Sequence, residues 1–230
     1  GAVWTAGGKA IEPSVLARMT DVLRHRGPDD EGAYVGQWQH GGADGGTAGV
    51  ALGFRRLSII DLETAKQPLS NEDGTVWVVF NGEIYNHPTL RQELLDRGHR
   101  FRSETDTEVI LHLYEEKGID ALQDLNGMFA FALWDQPKQR LYLCRDRLGI
   151  KPLIYYQDNS SLVFASEIQA LLEDKSIPRE MDREALTLYL TFNYIPAPFT
   201  IYRGMKKLLP GHYLLWEKGN VVTHKYWDIT

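Results

Sequence analysis

The chain has 230 residues, 43% of them hydrophobic and 24% charged, with a formal net charge of -6 and one cysteine. Such a composition is that of an ordinary soluble globular protein, built as one large domain or two small ones. Its acidic balance, with no basic run, argues against a nucleic-acid binder. The longest apolar run, Met128 to Trp134, is far too short to span a bilayer. The opening GAVWTAGGKA lacks the charged and apolar regions of a signal peptide. A lone Cys144 excludes an intrachain disulfide framework and fits a reducing, cytoplasmic compartment.

In chain order, Ala2 to Trp4 reads as a short strand. Ser14 stands as an N-cap to a helix whose apolar face is Val15, Leu16, Met19, Val22 and Leu23. Gly27-Pro28 stops that helix inside the charged run Arg24 to Gly32, RHRGPDDEG. The run is either a solvated helix end or a rigid ion-paired turn that holds a neighbouring loop. GGADGGTAG, Gly41 to Gly49, reads as a flexible loop. Ala48 to Phe54 is a strand leading into RRLSIIDL, Arg55 to Leu62. Either arginine can snorkel to water, or aim a guanidinium fork at a carboxylate in a cleft; position alone favours the former.

Val76 to Phe80 is an apolar run of strand type that meets Asn81-Gly82. Asn-Gly punctuates a backbone, so the strand is expected to end there. It then presents either a plain hairpin turn or a carboxamide beside a bare N–H, the two kinds of donor used in an oxyanion hole. The polar run Glu83, Tyr85, Asn86 favours a site. Pro88 suits the first turn of a helix with the stripe Leu90, Leu94 and Leu95, closed by Gly98. Thr105 and Glu108 have capping-box spacing before the buried face Val109, Ile110, Leu113 and Tyr114. Asp106, in the first turn, favours the helix dipole or binds a substrate ammonium group.

Asp120 to Leu125 is a short helical turn. Met128–Trp134, Arg140–Cys144, Leu153–Tyr156 and Ser161–Ala165 are strands, followed by a helix at Glu167–Leu172. Hairpins grouped in this way, with helices clustered elsewhere, define an α+β fold. Cys144, inside a strand, reads as a small buried hydrophobe. Asp182 to Phe192 is a helix, the Pro-rich link after it is extended, and Gly211 to Trp227 is a hairpin around Lys218-Gly219-Asn220. The seven histidines are scattered and there is no HExxH, GxSxG, GxGxxG or GxxxxGK[ST], so no metal site is expected.

Six stretches, in order, resemble one family: HRGPDDEG (His25–Gly32), RRLSIIDL (Arg55–Leu62), FNGEIYNH (Phe80–His87), SETDTEVI (Ser103–Ile110), LNGMFAFALWD (Leu125–Asp135) and RDRLGIKPL (Arg145–Leu153). The chain is similar along nearly its whole length to the glutamine-hydrolysing domain of glutamine-dependent asparagine synthetases, the class II amidotransferases. HRGPD and NGEIYN point to the asparagine-synthetase branch.

The resemblance implies an N-terminal-nucleophile hydrolase fold, a four-layer αββα sandwich of two antiparallel sheets. Residues 1–190 would be the amidotransferase domain and 191–230 a closing segment leading to an ATP-dependent synthetase domain. It implies hydrolysis of L-glutamine to glutamate and ammonia, which supplies nitrogen for the conversion of aspartate to asparagine. No cofactor is implied in this chain; ATP and Mg belong to the synthetase domain, and a homodimer is compatible. The nucleophile would be an N-terminal cysteine preceding Gly1. Its tetrahedral oxyanion would meet the Asn81 carboxamide and the Gly82 N–H. Arg56 would clamp the α-carboxylate, Glu83 and Asp106 would lie near the α-amino group, and Leu57, Ser58, Ile59 and Ile60 would line the pocket. Phe54, where many relatives carry histidine, lies outside these roles. Alternatives are an inactive glutaminase-like scaffold of an amide-forming synthetase, or a free-standing amino-acid-binding module.

Overall fold

The structure is a computed structural model and describes residues 2–5, 12–39, 47–56 and 66–229. Two six-stranded antiparallel sheets form its centre. The first has the order β10-β8-β9-β1-β3-β2, from Met205–Lys207, Ile154–Gln157, Ser161–Ala165, Ala2–Thr5, Thr47–Arg56 and Asp30–Gln39. The second has the order β12-β11-β7-β6-β5-β4, from Asn220–Lys225, His212–Glu217, Arg140–Arg145, Gly127–Asp135, Val76–Ile84 and Leu69–Ser70.

Period-two alternation builds three apolar layers, because successive strand side chains face opposite ways. Along β5, Val76, Val78 and Phe80 join one core cluster, while Trp77 and Val79 join another. Phe129, Phe131 and Leu133 of β6 alternate in the same manner with Ala130, Ala132 and Trp134. One cluster packs the second sheet against α2 (His87–Asp96) and α3 (Asp106–Lys117). A second fills the space between the sheets. A third packs the first sheet against α1 (Pro13–Asp21) and α4 (Ile168–Leu171). The layer order is therefore αββα, as the α+β reading requires. Helix α5, Arg183–Phe192, is capped by Asp182, which accepts from the N–H groups of Glu184 and Ala185.

Several local expectations are corrected. The strand does not end at Asn81-Gly82: β5 runs on to Ile84, with Asn81 opposite Ala130 and Gly82 opposite Phe129. Neither a hairpin nor a strand tip exists there. A Cβ on residue 82 would collide with the Met128 carbonyl and lie 2.7 Å from the Phe129 Cα, so glycine is needed for strand approach, not for a turn. The N-cap of α1 is Glu12, with Ser14 inside the helix. Thr105 is the N-cap of α3 but makes no side-chain cap bond. Glu108 reaches past it to the N–H groups of Arg102 and Ser103, both at 2.8 Å. Leu95 is 40% exposed and leaves the α2 stripe.

The segment 191–230 supplies β10, which pairs with β8, and β11, which pairs with β7. The β11–β12 hairpin turns at Lys218 and Gly219, both at positive φ.

Candidate active site

The layer between the sheets changes character at one end. On β3, Val50 and Leu52 face into it, with Phe54 partly buried against them, and Arg56 continues the same parity. On β5, Val79 faces into it and Asn81 and Glu83 continue. The apolar core thus gives way to one guanidinium, one carboxamide and one carboxylate. All three line a cleft of about 510 Å³ with Phe80, Gly82 and Asp106. Arg56 is buried, at 7% exposure, whereas Glu83 is at the exposed rim.

Arg55 and Arg56 part company because they are neighbours in a strand. Arg55 turns to the outer face, where it donates to the Thr20 carbonyl and pairs with Asp21 at 3.1 Å and Glu31 at 2.8 Å. Arg56 turns inward, so it does not snorkel to solvent. The charged run before β2 is the ion-paired turn of the two readings: His25 and Arg26 both meet Glu167, at 3.1 and 2.8 Å.

The backbone edge of β5 beside β4 is as ordered as the side chains. Phe80 N–H donates to Gln67 Oε1 at 2.6 Å, and Ile84 N–H donates to Asp106 Oδ2 at 2.9 Å. Gly82 lies between them with the same parity, so its N–H points along this edge into the cleft. Burial pushes the Asp106 carboxyl above its ordinary range; the Ile84 N–H and His87 oppose the rise and Glu83 adds to it.

The opposite wall comes from the loop 146–152. Fully buried Asp146 accepts from the N–H groups of Leu148, Ile150 and Lys151 at 3.0–3.1 Å. Arg145 donates to the carbonyls of Lys151 and Gly149. This scaffold sets Lys151 and Pro152 on the cleft wall. Gln67, Lys151 and Ser166 line the cleft and were given no site role by the sequence reading. Only Lys151 carried a signal, its place in the family stretch RDRLGIKPL. Phe54, set outside the site by sequence, also lines it. Leu57, Ser58, Ile59, Ile60 and most of the Gly41–Gly49 loop lie outside the described residues.

The chain's first described residue also points here. Ala2 pairs with Leu52 on one side and Phe164 on the other. The next residues along those two strands, Gly53-Phe54 and Ala165-Ser166, line the cleft. Cys144 faces the other way, fully buried in the cluster under α3, and burial pushes its thiol well up. It is therefore not a nucleophile.

The αββα sandwich thus brings a carboxamide, a guanidinium and two carboxylates together in one cleft. The chain matches the model of the glutamine amidotransferase domain family over residues 2–227 and belongs to that family. Within it, the chain is 38% identical over 221 residues to asparagine synthetase [glutamine-hydrolyzing] 3 of Bacillus subtilis, covering 95% of this chain and 34% of that protein. It is 44% identical over 225 residues to asparagine synthetase [glutamine-hydrolyzing] 2 of the same organism, covering 94% and 28%. The chain thus spans about a third of the length of these relatives. Glutamine phosphoribosylpyrophosphate amidotransferase from B. subtilis shares the fold, with TM-score 0.66 at 20% identity, covering 99% of this chain and 49% of that one. The sandwich is accordingly that of the N-terminal-nucleophile hydrolases. No helix among the described residues is long and apolar enough to cross a membrane.

Proposed function

We propose that this chain is the glutaminase domain of a glutamine-hydrolysing asparagine synthetase. The observation that carries the reading is the convergence of Arg56, Asn81, Gly82 and Asp106 on one cleft, at the end of the between-sheet layer where β1 begins. L-Glutamine fits the chemistry of that cleft. Its α-carboxylate suits a buried guanidinium fork, and its α-ammonium suits the Asp106 and Glu83 carboxylates.

A cysteine preceding Gly1, in line with β1, would attack the side-chain amide carbon. Its own α-amino group, with a free pKa of about 8, takes the thiol proton. The carbonyl oxygen becomes an oxyanion that accepts from the Asn81 carboxamide and the Gly82 N–H. Collapse breaks the C–N bond, and the departing nitrogen takes that proton and leaves as ammonia. Water then hydrolyses the thioester to glutamate and restores the thiol. In the whole protein, ammonia would pass to a synthetase domain following residue 230, where ATP and Mg activate aspartate. A cytoplasmic setting fits a domain with a single buried cysteine.

The test is glutamate release from glutamine by protein that carries the N-terminal cysteine. Asn81→Ala is expected to lower kcat by about 10²–10³-fold. No release by an intact, folded protein would leave the scaffold reading instead.

A further inference from the structure

Away from the cleft, two of the histidines that are scattered along the sequence come together in space. His99, in the loop after α2, and His112, thirteen residues later on α3, face each other through their Nδ1 atoms at 3.2 Å. Glu115 Oε2 completes a triangle, 2.9 Å from His112 Nδ1 and 3.6 Å from His99 Nδ1. This is the one such convergence of His, Cys, Asp and Glu among the described residues. Its two histidines come from different elements, so no spacing within one helix reveals it.

The triangle has the dimensions of one face of a coordination tetrahedron. Ligands at about 2.0–2.1 Å from a zinc ion stand about 3.3–3.4 Å apart. The three edges here bracket that value. The outer nitrogen of His99 and the outer oxygen of Glu115 are also held as metal sites hold them. His99 Nε2 meets Glu116 Oε1 at 3.0 Å, and His112 Nε2 faces Glu108 Oε1 at 3.7 Å. The Glu116 carboxylate behind His99 fixes that ring's tautomer and leaves its Nδ1 as the lone pair, whereas the buried His112 Nε2 makes no hydrogen bond. The remaining Glu115 oxygen, Oε1, accepts from Asn71 Nδ2 at 2.8 Å.

The Nδ1 atoms of both rings and Glu115 Oε2 converge on one point, with the outer nitrogen of His99 held by Glu116. We propose that His99 Nδ1, His112 Nδ1 and Glu115 Oε2 bind a divalent transition metal of the zinc type, with water as the fourth ligand. His112 is buried, but the His99 and Glu115 side chains are 15% and 27% exposed, so the ion enters from solvent. The nitrogen-rich donor set selects zinc, cobalt or nickel over magnesium or calcium. Bound there, the ion ties the loop after α2 to α3 and, through Asn71, to the turn before β5. The proposal stands apart from the glutaminase reading.

The experiment is titration of untagged, chelator-treated protein with Co²⁺ and then Zn²⁺, followed by visible absorption and thermal melting. One equivalent of Co²⁺ should give the intense bands of a four-coordinate ion, Zn²⁺ should displace it, and either should raise Tm. Loss of a ligand in His99→Ala or Glu115→Gln should weaken binding by more than about 100-fold. Glu116→Gln, which meets the outer nitrogen of His99 and an exposed Arg97 guanidinium but none of the three proposed ligand atoms, should weaken it by about 10–100-fold with the metal-free Tm little changed. His112→Ala is avoided because that ring is buried in the α3 packing. Absence of saturable binding overturns the proposal, because the three atoms then share a proton on His112. Equal affinity in wild type and His99→Ala overturns it as well, because the metal then sits elsewhere.

Discussion

The layer between the sheets has two ends, and they are built to opposite purposes. At one end, Tyr34 and Trp38 of the first sheet stack on Trp77 and Trp134 of the second, with ring centroids 4.0 and 4.9 Å apart. The other end opens into the cleft, where β3 ends in Arg56 and β5 carries Asn81 and Glu83. Aromatic pairs gain from area and from their own geometry, so the sealed end holds the sheets together. The open end instead gathers polar groups whose desolvation weakens the fold. A sandwich sealed at both ends would be more stable and would have nowhere to seat a ligand.

If this division is right, substitutions at the two ends separate stability from catalysis. The largest effect is expected at the sealed end. Trp134 is 1% exposed, and Trp134→Ala should lower unfolding free energy by about 3–5 kcal/mol, while kcat of the protein that remains folded stays near the parent value. Denaturant unfolding alongside active-site-normalised kinetics checks both halves. Asn81→Ala should do the reverse, removing about 3 kcal/mol of transition-state stabilisation from kcat with a small shift in Tm. Arg56→Lys keeps the charge but loses the fork. Its effect should fall on KM, raised by the equivalent of about 1.5–2 kcal/mol, with kcat less affected. A fall confined to kcat would remove Arg56 from the α-carboxylate.

Strands β6 and β7 were legible from sequence because an apolar run bounded by turn residues is a local feature, and Met128–Trp134 and Arg140–Cys144 match them within a residue or two; the αββα layering came from the family resemblance. The hairpin at Lys218-Gly219 was legible for the same reason. Asn81-Gly82 misled because its local chemistry is that of a turn. The close passage of Met128 and Phe129 fixes its conformation, and those residues are some 46 positions away. Thr105 and Glu108 misled in a smaller way, since the carboxylate found better donors beyond the helix end. The inward turn of Arg56 was hidden because Arg55 and Arg56 are chemically alike and differ only in strand parity. Gln67 and Ser166 reach the cleft from separate loops, and nothing in their own neighbourhoods announces it, whereas Lys151 lies in the family stretch RDRLGIKPL. The family motifs supplied what periodicity could not.

Asp106 gives the smallest expected effect and tests the balance between the two ends within one residue. Burial raises its pKa in the native state. A group with a raised native pKa lends stability that is complete below its unfolded pKa of about 4 and is lost as pH rises through the native value. At neutral pH the free protein therefore holds this carboxylate at a cost. Asp106→Asn removes the charge, and its Oδ1 can still accept from the Ile84 N–H. The variant should melt no lower than the parent at pH 7, with the difference closing under acid. Glutamine binding should move the other way. Its KM in the variant should be roughly fivefold to tenfold higher at pH 7, because the ammonium loses a partly buried partner. The gap should narrow as pH falls and the parent's Asp106 takes up its proton. A variant that melted lower at neutral pH with KM unchanged would assign Asp106 to the fold, and leave the ammonium to Glu83 alone.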